Sequence, residues 1–78
     1  MFSKNIFSQR LAYLRKENSI SQDTLAKKVN ISRFAIGKME KGERAASIEV
    51  LYQLADYFDV SIDYLVGRSD DPKRYWYL

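Results

Sequence analysis

Apolar residues recur at spacings of three and four along five stretches of the chain, and that spacing is the period of an α-helix. The first stretch runs from about Asn5 to Glu17 and aligns Phe7, Leu11 and Leu14 in one stripe. The second opens at Ser21, a good N-cap, has Asp23 where the helix dipole favours an anion, carries Leu25, Ala26 and Val29, and stops at Asn30. The third is "SRFAIGKMEKGER", opened by Ser32 and stopped by Gly42. The fourth opens at Ser47, carries Ile48, Leu51, Leu54, Ala55 and Phe58, and stops near Asp59. The fifth opens at Ser61, carries Ile62 and Leu65, and stops at Gly67. Nothing alternates in the manner of a strand. The connections are two to six residues long, so consecutive helices must pack directly on one another, which predicts a compact all-α domain over residues 1–67. Past Gly67, "RSDDPKR" has the composition of a linker. It leads into "YWYL", too apolar for a simple tail, so residues 68–78 are expected to form a C-terminal extension.

Composition narrows the class. A chain of 78 residues suffices for one domain, and its 46% apolar content with a single proline supports a helical core. Without Cys or His it has neither disulfides nor the commonest zinc ligands, so no metal and no cofactor are expected. No run approaches the ~20 apolar residues of a membrane span, and Lys4 followed by Ile6 and Phe7 is no signal peptide, so the reading is a soluble cytoplasmic chain away from membranes. The net charge of +3 conceals a split. Residues 1–46 hold ten Lys/Arg against four Asp/Glu, and residues 47–78 three against six. A basic half on a small domain points to a polyanionic partner, nucleic acid above all, with a merely solvated basic face as the bland alternative.

The third stretch raises the functional question. Ile36 and Met39 must face the core, which turns Arg33, Phe34, Gly37 and Lys38 outward. An exposed phenylalanine and an interior glycine both cost stability. The preceding helix and this one are joined only by Asn30, Ile31 and Ser32. Two helices crossing over so short a turn need a small residue in the first, a left-handed residue after it and apolar anchors in the second. Ala26, Asn30 and the set Leu25, Val29, Ile31, Ile36 and Met39 supply these.

With these residues the chain resembles the phage Cro and repressor, or XRE-like, family of helix-turn-helix DNA-binding domains. The resemblance runs from about Phe7 to Gly67 and is carried by "RLAYLRKE", "ISQDTLAKKVNISRFAIGKMEKGER" and "SIEVLYQLADYFDVSIDYLVGRSDD" in that order. It implies a five-helix lambda-repressor-like fold whose third helix enters the DNA major groove. Carried over residue by residue, it puts base reading on Arg33, Phe34, Ala35 and Lys38. Gln22 falls where the family contacts the backbone or braces the recognition helix, and Lys41 and Arg44 fall where it meets phosphates. Arg15 and Glu40 match positions of an ion pair that ties helix one to the recognition helix. Departures concern turns: Ser19, Asn30 and Asp59 stand where the family commonly has left-handed glycine, and Ala46 where a proline is frequent. Serine tolerates that geometry poorly, so the turn after the first helix is expected to differ locally.

The side-chain chemistry agrees with that assignment. Arg33 can present two donors to guanine, Phe34 and Ala35 offer apolar contact suited to a thymine methyl, and Gly37 lets the backbone approach the groove wall. The bland alternatives are solvated charges at Arg33 and Lys38, packing of Phe34 against the tail or another subunit, and a Gly37 without function. One such domain covers half of a palindromic site, so a homodimer is expected. Ile62, Tyr64, Leu65 and Val66, with Tyr75, Trp76, Tyr77 and Leu78, are candidates for its surface; the competing reading folds the tail back over its own domain. Taken together, the sequence reads as a sequence-specific double-stranded DNA-binding regulator, a repressor from a phage, prophage or mobile element. The alternatives are a protein-interaction module with an acidic partner and an antitoxin-type autoregulator. No small-molecule ligand is evident. An enzyme is disfavoured, because no residues pair a nucleophile with a base.

Overall fold

The computed structural model of the chain describes residues 4–74. Among these residues five helices follow one another: α1 (Lys4–Glu17), α2 (Gln22–Lys28), α3 (Arg33–Glu40), α4 (Ile48–Phe58) and α5 (Ile62–Leu65). Among the described residues there is no strand, and no helix is long and apolar enough to cross a membrane.

Local chemistry sets where each helix begins. Ser21, Ser32, Ser47 and Ser61 hold extended backbone just ahead of α2, α3, α4 and α5, and each hydroxyl accepts a hydrogen bond from the amide three residues on. One otherwise unpaired first-turn N–H is satisfied in each case, worth about 1 kcal/mol per helix.

The helix ends share a second device. Ser19, Asn30, Gly42, Asp59 and Gly67 all take positive φ, between 56° and 89°. The residue after each donates its amide back to the helix it leaves: Ile20 to the Arg15 carbonyl, Ile31 to Ala26, Glu43 to Lys38, Val60 to Ala55 and Arg68 to Asp63, at 2.7–3.3 Å. These are Schellman closures. The turn after α1 therefore keeps the common geometry despite its serine, contrary to the expectation from sequence. Its neighbours outweigh the roughly 1 kcal/mol cost of left-handed serine. The Arg15 guanidinium donates to the Ile20 carbonyl at 2.9 Å, the Asn18 amide to the Leu14 carbonyl at 2.7 Å, and Ile20 packs against the core. Gly67 is required twice over, since any Cβ there would meet a left-handed backbone and lie 2.8 Å from Ile6 Cγ2.

One core joins all five helices. Phe7, Leu11 and Leu14 of α1 meet Leu25, Ala26 and Val29, then Ala35, Ile36 and Met39 of α3, and Leu51, Leu54, Phe58 and Leu65 beyond. Each large side chain fully buried here stabilises by about 1.5 to 3 kcal/mol. Ile48 lies outside this core at 68% exposure, although its spacing had placed it on the α4 stripe. At about 100° per residue it sits some 70° from the centre of Leu51, Leu54, Ala55 and Phe58, past the edge of the stripe and in the frayed first turn. The third helix packs on α1 and α2 together, while α5 packs on α1 and α4.

The segment after α5 is tied to the body. Arg10 of α1 donates to the Tyr64 carbonyl, to the Ser69 carbonyl at 2.7 Å and to the Asp70 carboxylate at 2.7 Å, while its guanidinium stacks 4.3 Å from the Tyr64 ring centre. Ser61 donates its amide to the Pro72 carbonyl, and Arg74 pairs with Asp56 at 2.5 Å and Asp59 at 3.5 Å. Three of the dimer candidates are engaged within the chain: Tyr64 through Arg10, Val66, which at 9% exposure belongs to the core and not to an interface, and Leu65, which at 0% exposure cannot meet a partner. Leu65 is thus corrected from interface to core. It falls opposite α1 at the junction of α1, α4 and α5, where spacing alone could not say which neighbour covers it. Ile62 remains half-buried, and Tyr75, Trp76, Tyr77 and Leu78 lie outside the described residues.

Candidate nucleic-acid interface

Two short helices carry the candidate site. Leu25 and Ala26 of α2 are buried, and the chain leaves α2 through Val29, also buried, and left-handed Asn30. Ile31 closes the turn by donating to the Ala26 carbonyl at 3.0 Å, and Ser32 starts α3 at once. Small Ala26 lets the helices approach, and the αL residue turns the chain within three positions. The geometry read from sequence is the geometry found.

What fixes α3 against the body is a buried network at its C-terminal end. Arg15 Nε donates to Glu40 Oε2 at 2.6 Å and Arg15 Nη2 to Glu40 Oε1 at 3.0 Å, a two-pronged pair between side chains only 14% and 8% exposed. Gln22 Nε2 adds a third bond to Glu40 Oε1 at 3.1 Å. The start of α2, the last turn of α1 and the end of α3 thus meet at one carboxylate. Hydrogen bonding to Glu40 raises the Arg15 pKa above its ordinary value despite the opposing pull of burial, so the guanidinium stays charged at any pH the protein meets. Gln22 thus ties the first turn of α2 to the end of α3.

The opposite side of α3 is open. Phe34 is 70% exposed, Arg33 is exposed, and Lys38 holds its ammonium 5.2 Å from the Phe34 ring centre. Gln22, Arg33, Phe34, Gly37, Lys38, Lys41 and Glu43 line an open cleft of about 420 Å³. Arg44 is exposed on the following loop, outside that cleft. A Cβ built on Gly37 would meet only Gln22 Oε1, at 3.8 Å. Nothing inside the domain therefore demands glycine there. The first turns of α2, α4 and α5 each hold an acidic residue, Asp23, Glu49 and Asp63, whereas those of α1 and α3 hold none and α3 begins with Arg33. A cation at that end opposes the helix dipole by about 0.3 to 1 kcal/mol. The face spends stability on an aromatic ring, a glycine and a misplaced charge.

Ala35 is a correction. Its side chain is 3% exposed and belongs to the core beside Ile36 and Met39, so its methyl cannot reach a base. At about 100° per residue it stands roughly 70° from the line midway between Ile36 and Met39, at the margin of the stripe, so the period by itself left its side open. The resemblance put it among the base readers, and the packing of α3 on α1 and α2 buries it instead. Glu43 was missed. The signal available was a charged residue directly after Gly42, in the position that closes the helix. Among the described residues, no group of acidic side chains is arranged to hold a metal.

Comparison with known proteins agrees with this architecture. A helix-turn-helix family model matches residues 11–65. The uncharacterized HTH-type transcriptional regulator YobD of Bacillus subtilis is 36% identical over 67 residues, which cover 86% of this chain and 60% of YobD. A second relative from the same organism is covered to 59%, so the chain spans about three fifths of the length of these two curated relatives. Among solved structures, the P22 c2 repressor, determined in complex with synthetic operator 9T, superposes with a TM-score of 0.78 at 31% identity, covering 82% of this chain and 97% of the repressor. The restriction-modification controller protein C.AhdI from Aeromonas hydrophila superposes at 0.73 with 34% identity, covering 80% and 94%. With a matching family model over most of its length and the same five-helix arrangement, the chain belongs to the helix-turn-helix family of Cro and phage-repressor type.

Proposed function

We propose that the chain is a sequence-specific double-stranded DNA-binding transcriptional regulator, acting as a cytoplasmic homodimeric repressor of the phage or mobile-element kind. Residues 1–67 serve as its DNA-binding domain and 68–78 as an extension. The observation that carries this reading is the exposed face of α3, which presents Phe34 and flanking cations at a cost to the domain's own stability. The P22 c2 repressor, solved with an operator, supports it by likeness.

In this reading the N-terminal half of α3 enters the major groove. Arg33 donates to guanine O6 and N7, Phe34 packs on a thymine methyl, and Lys38 reaches a base edge. Gly37 brings the backbone close to the groove wall, and Lys41 and Arg44 meet phosphates. Gln22 and the Arg15–Glu40 pair set the angle at which α3 is presented.

Selection of bound sequences from random duplex DNA tests the whole proposal. The expected result is a palindrome mixing guanine and thymine in each half-site, with half-site centres one DNA turn, about 34 Å, apart. Replacing thymine by uracil at the preferred position should weaken binding measurably. Recovery of no preferred sequence, with binding indifferent to salt, would remove the DNA reading.

A further inference from the structure

The five Schellman closures differ at one position. The residue that follows the left-handed turn normally folds an apolar side chain back onto its helix. Ile20, Ile31 and Val60 do so against the core, whereas the closures after α3 and α5 carry a charged residue there, Arg68 being the one after α5. After α3 the same position holds Glu43, whose amide bonds the Lys38 carbonyl at 3.0 Å. That backbone bond sets the carboxylate over the last turn of α3. Glu43 Oε1 lies 3.3 Å from Lys38 Nζ, and the side chains are 52% and 41% exposed. Glu43 is the one carboxylate lining a cleft otherwise walled by Gln22, Arg33, Phe34, Gly37, Lys38 and Lys41.

We infer that Glu43 is a specificity-determining residue: it suppresses sequence-independent DNA binding by cancelling the charge of Lys38 and holding that ammonium over the Phe34 ring. The inference rests on the DNA-binding reading above. Non-specific affinity comes from cations that replace condensed counterions on the phosphates, at a slope in log salt of about 0.9 per phosphate neutralised. A lysine already paired with a carboxylate brings no net charge to that exchange. If Lys38 swings to a phosphate instead, Glu43 is left unpaired beside a polyanion, and the gain is again offset. Only a site whose bases engage Lys38 where it stands, beside Phe34, recovers the loss. Glu43 is half-exposed and its backbone bonds do not involve its carboxylate, so the device can be removed without disturbing the fold.

The test compares wild type, Glu43→Gln and the double variant Glu43→Gln/Lys38→Met on a mixed-sequence duplex and on the best duplex from the selection, across a salt series. Glu43→Gln should bind the mixed duplex about fivefold to tenfold tighter near 0.1 M salt, with a slope steeper by about 0.9, and the ratio of selected to mixed affinity should fall. The double variant should return the mixed-duplex slope to the wild-type value, because the gain runs through Lys38. Wild-type mixed-duplex binding and slope in Glu43→Gln, beside intact binding of the selected site, would overturn this inference alone. Failure of the wild type to bind either duplex would overturn the DNA reading and this inference with it.

Discussion

Glu40 and Glu43 are three residues apart at the same end of α3, and they do opposite work. Glu40 is almost wholly buried and accepts three hydrogen bonds, two from Arg15 and one from Gln22. Glu43 stands half in solvent with a single lysine partner. The contrast is one of environment, since the residue type is the same. Removed from water, a carboxylate must keep its partners or destabilise the fold, because its desolvation is not returned when a partner leaves. In water the same pair is worth at most about 1 kcal/mol and is screened by salt, so it can influence what the surface attracts without holding the fold.

The largest expected effect therefore lies on the buried side. Arg15→Met should lower stability by about 2 to 4 kcal/mol, somewhat under the cost of breaking a fully buried pair because the side chains keep slight exposure. For a domain of this size that is a fall in Tm of roughly 10 °C or more by circular dichroism. Melting at the wild-type temperature would erase the distinction between the two carboxylates. On the open side, Arg33→Ala should cost about 1 to 3 kcal/mol of binding to the selected duplex and relax preference at one base pair, measured against base-substituted duplexes. Its melting temperature should hold or rise, because the unfavourable charge at the α3 N-terminus is gone. Lys41→Ala should weaken all sequences alike and flatten the salt slope by about one; a loss confined to one sequence would move Lys41 among the base readers.

Smaller effects sharpen the same contrast. Gly37→Ala should stabilise the domain by about 0.5 to 1 kcal/mol, since the added methyl meets only Gln22 at van der Waals distance. Its affinity for the selected duplex should fall if the backbone approaches the groove wall, and unchanged affinity would leave that glycine without a role in binding. Glu43→Gln should alter stability by no more than about 0.5 kcal/mol in thermal melts, whatever it does to DNA binding. A large loss of stability would place Glu43 beside Glu40 as a structural residue.

How much of this was legible depended on the range of each interaction. The serine caps could be read off because a hydroxyl and an amide three residues on meet in any helix that starts there. Asn30 and Gly42 were legible as turn residues for the same reason. Ser19 was misjudged, because the cost of its backbone angle is local while the bonds that hold it reach back to Leu14, Arg15 and Lys16 and into the core. The period left Ala35 at the margin of the α3 stripe, and only the packing of α3 on α1 and α2 buried it. The Arg15–Glu40 pair spans 25 residues and came only from that resemblance. Arg10 illustrates the limit: its partners lie 54 to 60 residues away, and no pattern around Arg10 announces them.

The chain by itself thus determined the elements, their ends, the inward stripes and the split of charge, since all of these follow from spacing and from chemistry within about one helical turn. Tertiary structure decided which surfaces remain. It closed Leu65 inside, left Ile48 outside, buried Ala35, fastened residues 68–74 to α1 and α4, and put two nearby glutamates in opposite environments. The reason is that burial belongs to the packed arrangement of distant segments, and burial sets whether a side chain holds the fold or faces a partner.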